Sequence, residues 1–379
     1  MTEDSIRSDA ADIARPEKFS TDSSGAGERT SPQGTRVHPQ VEGLGVSRET
    51  PSWGDDVSRE TAGFRVRTAA EVAEGNVSGF DDETTPLARA AEHSVLARSG
   101  GLQRGQKMPR SDATRVLVVA NQKGGVGKTT STVNVAAALA QLGLRVLVID
   151  LDPQGNASTA LSVDHHRGVP STYDMLVDGE SLANVMTQSD EVSGLWAVPA
   201  TIDLAGAEIE LVSVVARESR LQKALTADPR IGSAAEAGED RFDFVFIDCP
   251  PSLGLLTLNA LVAGREMFIP IQAEYYALEG LGQLLETVEM VRKHLNPDLV
   301  VSTILLTMYD ARTRLAAAVA AEVRQHFGPE VLKTAVPRSV RVSEAPSYGQ
   351  TVMTYDPASA GALSYLEAAR EIATKGAPR

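Results

Sequence analysis

Residues 115–142 read RVLVVANQKGGVGKTTSTVNVAAALAQL, and this stretch limits the fold more tightly than any other part of the chain. RVLVVA is an unbroken apolar run, as expected of a strand covered on both faces. The glycine-rich NQKGGVGKTT follows, and then TVNVAAALAQL, a helical pattern stopped by Gly143. Gly124, Gly125 and Gly127 allow successive backbone N–H groups to turn inward and form a nest for a phosphate. A helix beginning at Lys128 adds free N–H groups and the positive end of its dipole. Lys128 brings a point charge for the β- and γ-phosphates, and Thr129 stands where its hydroxyl would ligate Mg2+. Buried strand, phosphate loop and helix in that order call for a parallel sheet with helical crossovers.

The next 230 or so residues fit that requirement, a length typical of one large domain. RVLVID (145–150), FDFVFID (242–248), EMFIPIQ (266–272) and VVSTILLTM (300–308) read as four more buried strands. Helical patterns at 208–226, 279–295, 314–327 and 362–375 alternate with them or close the chain. The predicted fold is α/β: a doubly wound, mostly parallel sheet forming a P-loop NTPase domain over residues 113–379.

Residues 1–112 have a different texture. Only 17 of them are Leu, Ile, Val or Phe, about 15%, below the roughly 20% needed to offset chain entropy. This segment is read as a disordered, low-complexity tail with a weak helix around Leu87 to Arg98. The overall charge of −14 excludes a surface coated in basic residues, so any nucleic-acid contact must come from a local cluster. With Cys249 as the single cysteine, an internal disulfide and a cysteine-based metal site are excluded. The N-terminus carries no apolar leader pattern and no charge-free apolar run approaches twenty residues, which predicts a cytoplasmic protein.

Other candidate chemistry lies at strand ends. DLDPQGNAST (150–159) follows the second strand, and its Asp152 would sit beside the phosphate loop; Asp150 is read as structural or as supporting the metal from behind its ligands. FVFIDCPPS (244–252) places Asp248 after four apolar residues, where a carboxylate would hold Mg2+ directly or through water. Cys249 reads as a small buried side chain, and His165 and His166 have no companion ligands.

The loop departs from the ordinary pattern because Gln122 occupies the position of the first glycine, while Lys123 opens it as K-G-G-V-G-K-T-T. This resembles the deviant Walker A motif of the ParA/MinD class of ATPases. PATIDLAGAEIEL (199–211), IDCPPSLGLLTLNAL (247–261), EYYALEGL (274–281), LLTMYDARTRL (305–315) and VPRSVRVSEAPSYGQ (336–350) also look like ParA/Soj chromosome-partitioning ATPases. The likeness runs from about Arg115 to the C-terminus. It implies that ATP and Mg2+ are held by Lys123, Gly124, Gly125, Val126, Gly127, Lys128, Thr129 and Thr130, with Thr129 and Asp248 on the metal. Lys123 would reach across an ATP-dependent homodimer to the partner's phosphates, Lys128 would act in its own subunit, and Asp152 would orient the attacking water. Arg312, Arg338 and Arg341 match or adjoin positions that bind double-stranded DNA without reading bases. A ParB-like centromere-binding protein is the implied activator, and the nucleoid the implied location. Nitrogenase-type iron proteins need several cysteines, which this chain lacks. A membrane-cycling ATPase of the MinD kind is the alternative. It would need a basic amphipathic terminal helix, whereas SYLEAAREIA carries mixed charge and no membrane partner is expected.

One feature stands apart from this function: VSRET occurs at 46–50 and again at 57–61. Two such polar words are too short to stack as a structural repeat. Their codons can spell GTTTCACGTGAAAC, a palindrome similar to the core of the site bound by the partners of this family. The repeat is thus read as a feature of the gene showing through translation, with a docking motif and coincidence as the other readings.

Overall fold

The computed structural model describes residues 107–274 and 277–376. The VSRET words, the Leu87–Arg98 helix and most of the tail lie outside them. Eight strands form one sheet in the order β3-β4-β2-β5-β1-β6-β7-β8. They are β1 (Arg115–Val119), β2 (Val146–Asp150), β3 (Thr187–Gln188), β4 (Leu195–Val198), β5 (Phe244–Asp248), β6 (Glu266–Gln272), β7 (Val300–Tyr309) and β8 (Val331–Pro337). Every neighbouring pair is parallel except β3 with β4. The five central strands are those expected from the sequence, and their near-continuous burial explains why they were readable.

The helices are α1 (Lys128–Gln141), α2 (Asn156–Ala160), α3 (Leu182–Val185), α4 (Leu204–Glu210), α5 (Arg220–Ala227), α6 (Ala234–Ala237), α7 (Leu255–Ala263), α8 (Ala277–His294), α9 (Arg314–Phe327), α10 (Val340–Glu344), α11 (Val352–Tyr355) and α12 (Ala360–Lys375). Strand alternation divides the core in two. Leu117, Val119, Phe244, Phe246 and Phe268 face a layer built from α1, α2, α11 and α12. Val116, Val118, Val245, Ile247 and Met267 face a second layer from α4, α5, α7, α8 and α9. Arg115 ties the sheet to α12: its guanidinium pairs bidentately with Glu266 on β6 at 2.8 and 2.6 Å and donates to Ile372 O at 2.6 Å, all out of solvent.

Two differences from the sequence expectation have physical causes. The helix expected at 208–226 is broken. After α4 come a 3-10 turn at Leu211–Ser213, a left-handed Ala216 (φ 54°), a second turn at Arg217–Ser219, and then α5. Asn259 on α7 takes over the bonds of a continuous helix, accepting from Leu221 N at 3.2 Å and donating to Arg217 O at 2.8 Å. Ile209, Val212 and Val215, in the first half of that expected helix, are exposed. The second difference concerns residues 107–112, grouped with the tail by composition, which are held to the domain. Met108 N donates to Leu142 O at 3.0 Å, Arg110 pairs with the buried Asp243 at 2.8 Å, and Ala234 N donates to Asp112 O at 2.7 Å.

Candidate nucleotide-binding site

All the candidate phosphate chemistry gathers at the C-terminal ends of β1, β2 and β5, where a doubly wound sheet leaves an open crevice. β1 and β2 flank β5, with Val119 and Asp150 each in register with Asp248. The loop from Asn121 to Gly127 is fastened at three points. Asn121 donates to Pro270 O at 2.9 Å and accepts from Lys123 N at 3.0 Å, and Thr307 Oγ1 donates to Val126 O at 2.7 Å. Gly125 (φ 73°) and Gly127 (φ 86°) adopt left-handed backbone, which favours glycine, and Gly127 caps α1. Open space surrounds Gly124 and Gly125 on the side where a Cβ would project, leaving room for a phosphate to approach the backbone.

Lys128 opens α1 and is buried, its ammonium 3.4 Å from Lys123 O. Burial lowers its pKa, and the nearby Asp248 opposes that shift most strongly. Asp248 is fully buried: Oδ1 accepts from Thr132 Oγ1 at 2.8 Å, and Oδ2 has no partner. Desolvation drives its carboxyl well above the ordinary range, Asp150 adds to the push, and Thr129, Thr132 and Lys128 oppose it. An orphaned, buried carboxylate oxygen beside Thr129 and Lys128 suits a divalent cation that takes its remaining oxygens from phosphates and water. Among the described residues there is no group of three or more His, Cys, Asp or Glu that would form an all-protein metal cage.

Asp150, also buried, serves its own loop. It accepts from Asp152 N at 3.1 Å and from Ser158 N and Oγ at 2.9 and 2.8 Å. Desolvation raises its pKa ahead of those bonds, which lower it. The half-buried Asp152 accepts from Gln154 N at 3.0 Å and lies near enough to Lys128 to interact with its charge. Val126 is buried, Thr129 and Thr130 are half-buried, and Cys249 is buried. Lys123 takes a different direction: a third of its side chain is exposed, and Nζ pairs with Glu274 Oε2 at 2.8 Å.

The three expected DNA-contacting arginines lie near one another at the end of β7 and β8, strands whose Tyr309 and Pro337 are in register. Arg312 is 85% exposed and pairs with Asp310 at 2.9 and 2.8 Å. Arg341 reaches Glu344 at 3.1 Å and Asp356 at 3.5 Å. Arg338 is exposed. Sequence reasoning missed Asn121, Thr132 and Thr307, the residues that hold the loop and Asp248. Thr132 alone carried a signal, lying one turn beyond Lys128 on the face toward the sheet.

A model of an AAA domain family matches residues 114–301. The chain is 50% identical over 262 residues to the sporulation initiation inhibitor protein Soj of Bacillus subtilis, covering 69% of this chain and 99% of that one. It is 48% identical over 261 residues to the chromosome partitioning protein ParA of Caulobacter vibrioides, covering 69% and 94%. Among solved structures it resembles a cobyrinic acid a,c-diamide synthase from Mycobacterium smegmatis with bound ADP and magnesium. That likeness has 39% identity and a TM-score of 0.55, over 68% of this chain and 93% of the other.

Proposed function

The chain belongs to the ParA/Soj family of chromosome-partitioning ATPases, and from that premise we propose that it is an ATP- and Mg2+-dependent switch that dimerises around nucleotide and then grips DNA. Lys128 and the N–H groups of Gly124 to Thr130 would hold the phosphates, and Thr129 with Asp248 would hold the cation. Bound Mg2+ would neutralise charge developing on the transferred phosphoryl group. Asp152 would orient the attacking water, and the 152–158 loop that carries it is braced by Asp150 and Ser158. Thr132 keeps one oxygen of Asp248 occupied and the other available.

The observation that carries the reading is the divergence of the two lysines of one loop. Lys128 is buried against the Asp248 end of the crevice, while Lys123 stands at the rim on a surface ion pair. A rim ion pair of this kind is worth about 0–1 kcal/mol, so a partner subunit's phosphates would readily replace Glu274. Exposed Ile209 near the end of α4, with Val212 and Val215 just after it, supports an apolar contact in such a dimer. Each protomer of the dimer would bring Arg312, Arg338 and Arg341 to double-stranded DNA, giving salt-sensitive, base-independent binding over the nucleoid. Hydrolysis, slow alone and stimulated by a ParB-like partner, would reset the switch. The domain's excess of acidic residues, 31 against 22 basic over 113–379, suits a basic activating segment. The membrane-cycling reading is less supported: the closing α12 buries Leu363, Leu366 and Ile372 rather than presenting an apolar face.

DNA retention with ATP, wild type against Lys123→Ala, tests the proposal. The variant is expected to keep ATP but lose most ATP-dependent dimer and DNA complex. Equal DNA binding by the two would rule out the trans lysine. ATP-dependent pelleting with liposomes and none with DNA would favour the membrane reading.

A further inference from the structure

Arg312 and Arg341, both exposed, make their ion pairs with carboxylates of the same edge. Asp310 grips Arg312 through both its oxygens, at 2.9 and 2.8 Å, and Arg338 lies close enough to lower the Asp310 pKa further. Its carboxyl is held down at about 2, with the Arg312 bonds the largest cause, so it is ionised throughout the physiological range. On α10, Arg341 is shared between Glu344 and Asp356. A bidentate carboxylate offers a guanidinium the same fork geometry as a phosphate diester, so acid and DNA compete for the same donors.

We propose that Asp310, Glu344 and Asp356 act as built-in competitors for the DNA-contacting arginines, keeping the grip on DNA weak enough to be released. This rests on the DNA-binding reading above. Without them, Arg312, Arg338 and Arg341 from two protomers would present six uncompensated cations to the duplex, and the affinity of such a surface climbs steeply with each phosphate contact. With them, every contact formed by Arg312 or Arg341 begins with the loss of an internal one, and release returns each guanidinium to a ready acceptor. The exposed pairs cost little to open, as a reversible exchange requires. Asp310 also shapes its loop, because Oδ1 accepts from Arg312 N at 3.1 Å and its carbonyl accepts from Thr313 N at 3.1 Å. An asparagine retains both of these loop acceptors while removing the charge and replacing the second carboxylate oxygen, which holds the Arg312 guanidinium, with an NH2 donor.

The test compares wild type, Asp310→Asn, Arg312→Ala and the double variant for ATP-dependent binding to random-sequence duplex across a salt series. Nucleotide affinity serves as the check of folding. Asp310→Asn is expected to bind roughly two- to fivefold tighter at low salt. Most of that gain should vanish in the Arg312→Ala background, since the acid acts through that guanidinium. Glu344→Gln, on a separate element, should also tighten binding. Asp310→Asn binding no tighter than wild type overturns the proposal. So does a full gain that survives without Arg312, which would mean a diffuse charge effect. If wild type itself fails to bind DNA with ATP, the DNA-binding reading falls and takes this one with it.

Discussion

Thr132 sits one turn into α1 with its hydroxyl shared between Lys128 O at 3.0 Å and Asp248 Oδ1 at 2.8 Å. Asp248 already has one buried oxygen without a partner, so Thr132→Val would leave both short of donors while barely changing the packed shape. The expected cost is about 1–3 kcal/mol, read as a lower thermal midpoint of the nucleotide-free protein. An unchanged midpoint would mean that the phosphate loop alone holds the carboxylate. The contrast between Thr132 and Lys128 shows which parts of the site were legible. Glycines, lysine and threonine at fixed spacing mark a phosphate loop whatever surrounds them, and an aspartate ending an apolar run marks a strand terminus. Thr132 and Thr307 are ordinary residues of a helix and a strand. Their importance comes from partners 116 and 181 residues away, which no local pattern encodes.

Among the elements, what was read well was what is buried. β1, β2, β5, β6 and β7 are long apolar runs, and alternation of helix between them left one architecture. β3 has two residues and β4 four, too few for a pattern, and β8 interrupts its apolar residues with exposed Lys333 and half-buried Thr334 at the sheet edge. The helix broken at 211–219 was misjudged because spacing of apolar residues describes what a segment would bury, whereas Asn259 decides where it stops. A polar clasp between elements gives a pH prediction. Glu191, in the turn between β3 and β4, accepts through Oε1 from Thr351 N at 2.6 Å and from the hydroxyls of Thr351 and Thr354 at the start of α11. Its Oε2 is buried without a partner, and desolvation raises its pKa above 4.5 despite the threonine bonds. A raised carboxyl binds more protons in the folded than in the unfolded chain. Its contribution is therefore complete below the ordinary value and declines as pH rises through the raised one. Glu191→Gln keeps the accepting oxygen and does not titrate. Unfolding midpoints from about pH 5 to about pH 8 should fall less for the variant than for wild type, and parallel curves would refute this.

For the molecule as a whole, the composition boundary and the packing boundary differ by a few residues, with a measurable consequence. A chain begun at residue 107 keeps Met108 and Arg110 on the domain, and one begun at residue 113 loses both. Asp243, fully buried, would then depend on Arg241 at 3.3 Å and the backbone of Arg145 at 2.9 Å. The shorter chain should be less stable by roughly 1–3 kcal/mol, below the cost of breaking a fully buried pair because Arg110 is 35% exposed. Equal urea midpoints for the two chains would show that the segment merely rests on the surface.

All strands but β3 run in one direction, so the chain enters β1 at the pole of the sheet opposite the phosphate loop, with Ala113 bridging Ser233 just before β1 begins. Met108, bonded to Leu142 O just past the far end of α1, therefore lies away from the phosphate loop, and the contacts that secure residues 107–112 are separated from the phosphate chemistry by the length of the strands.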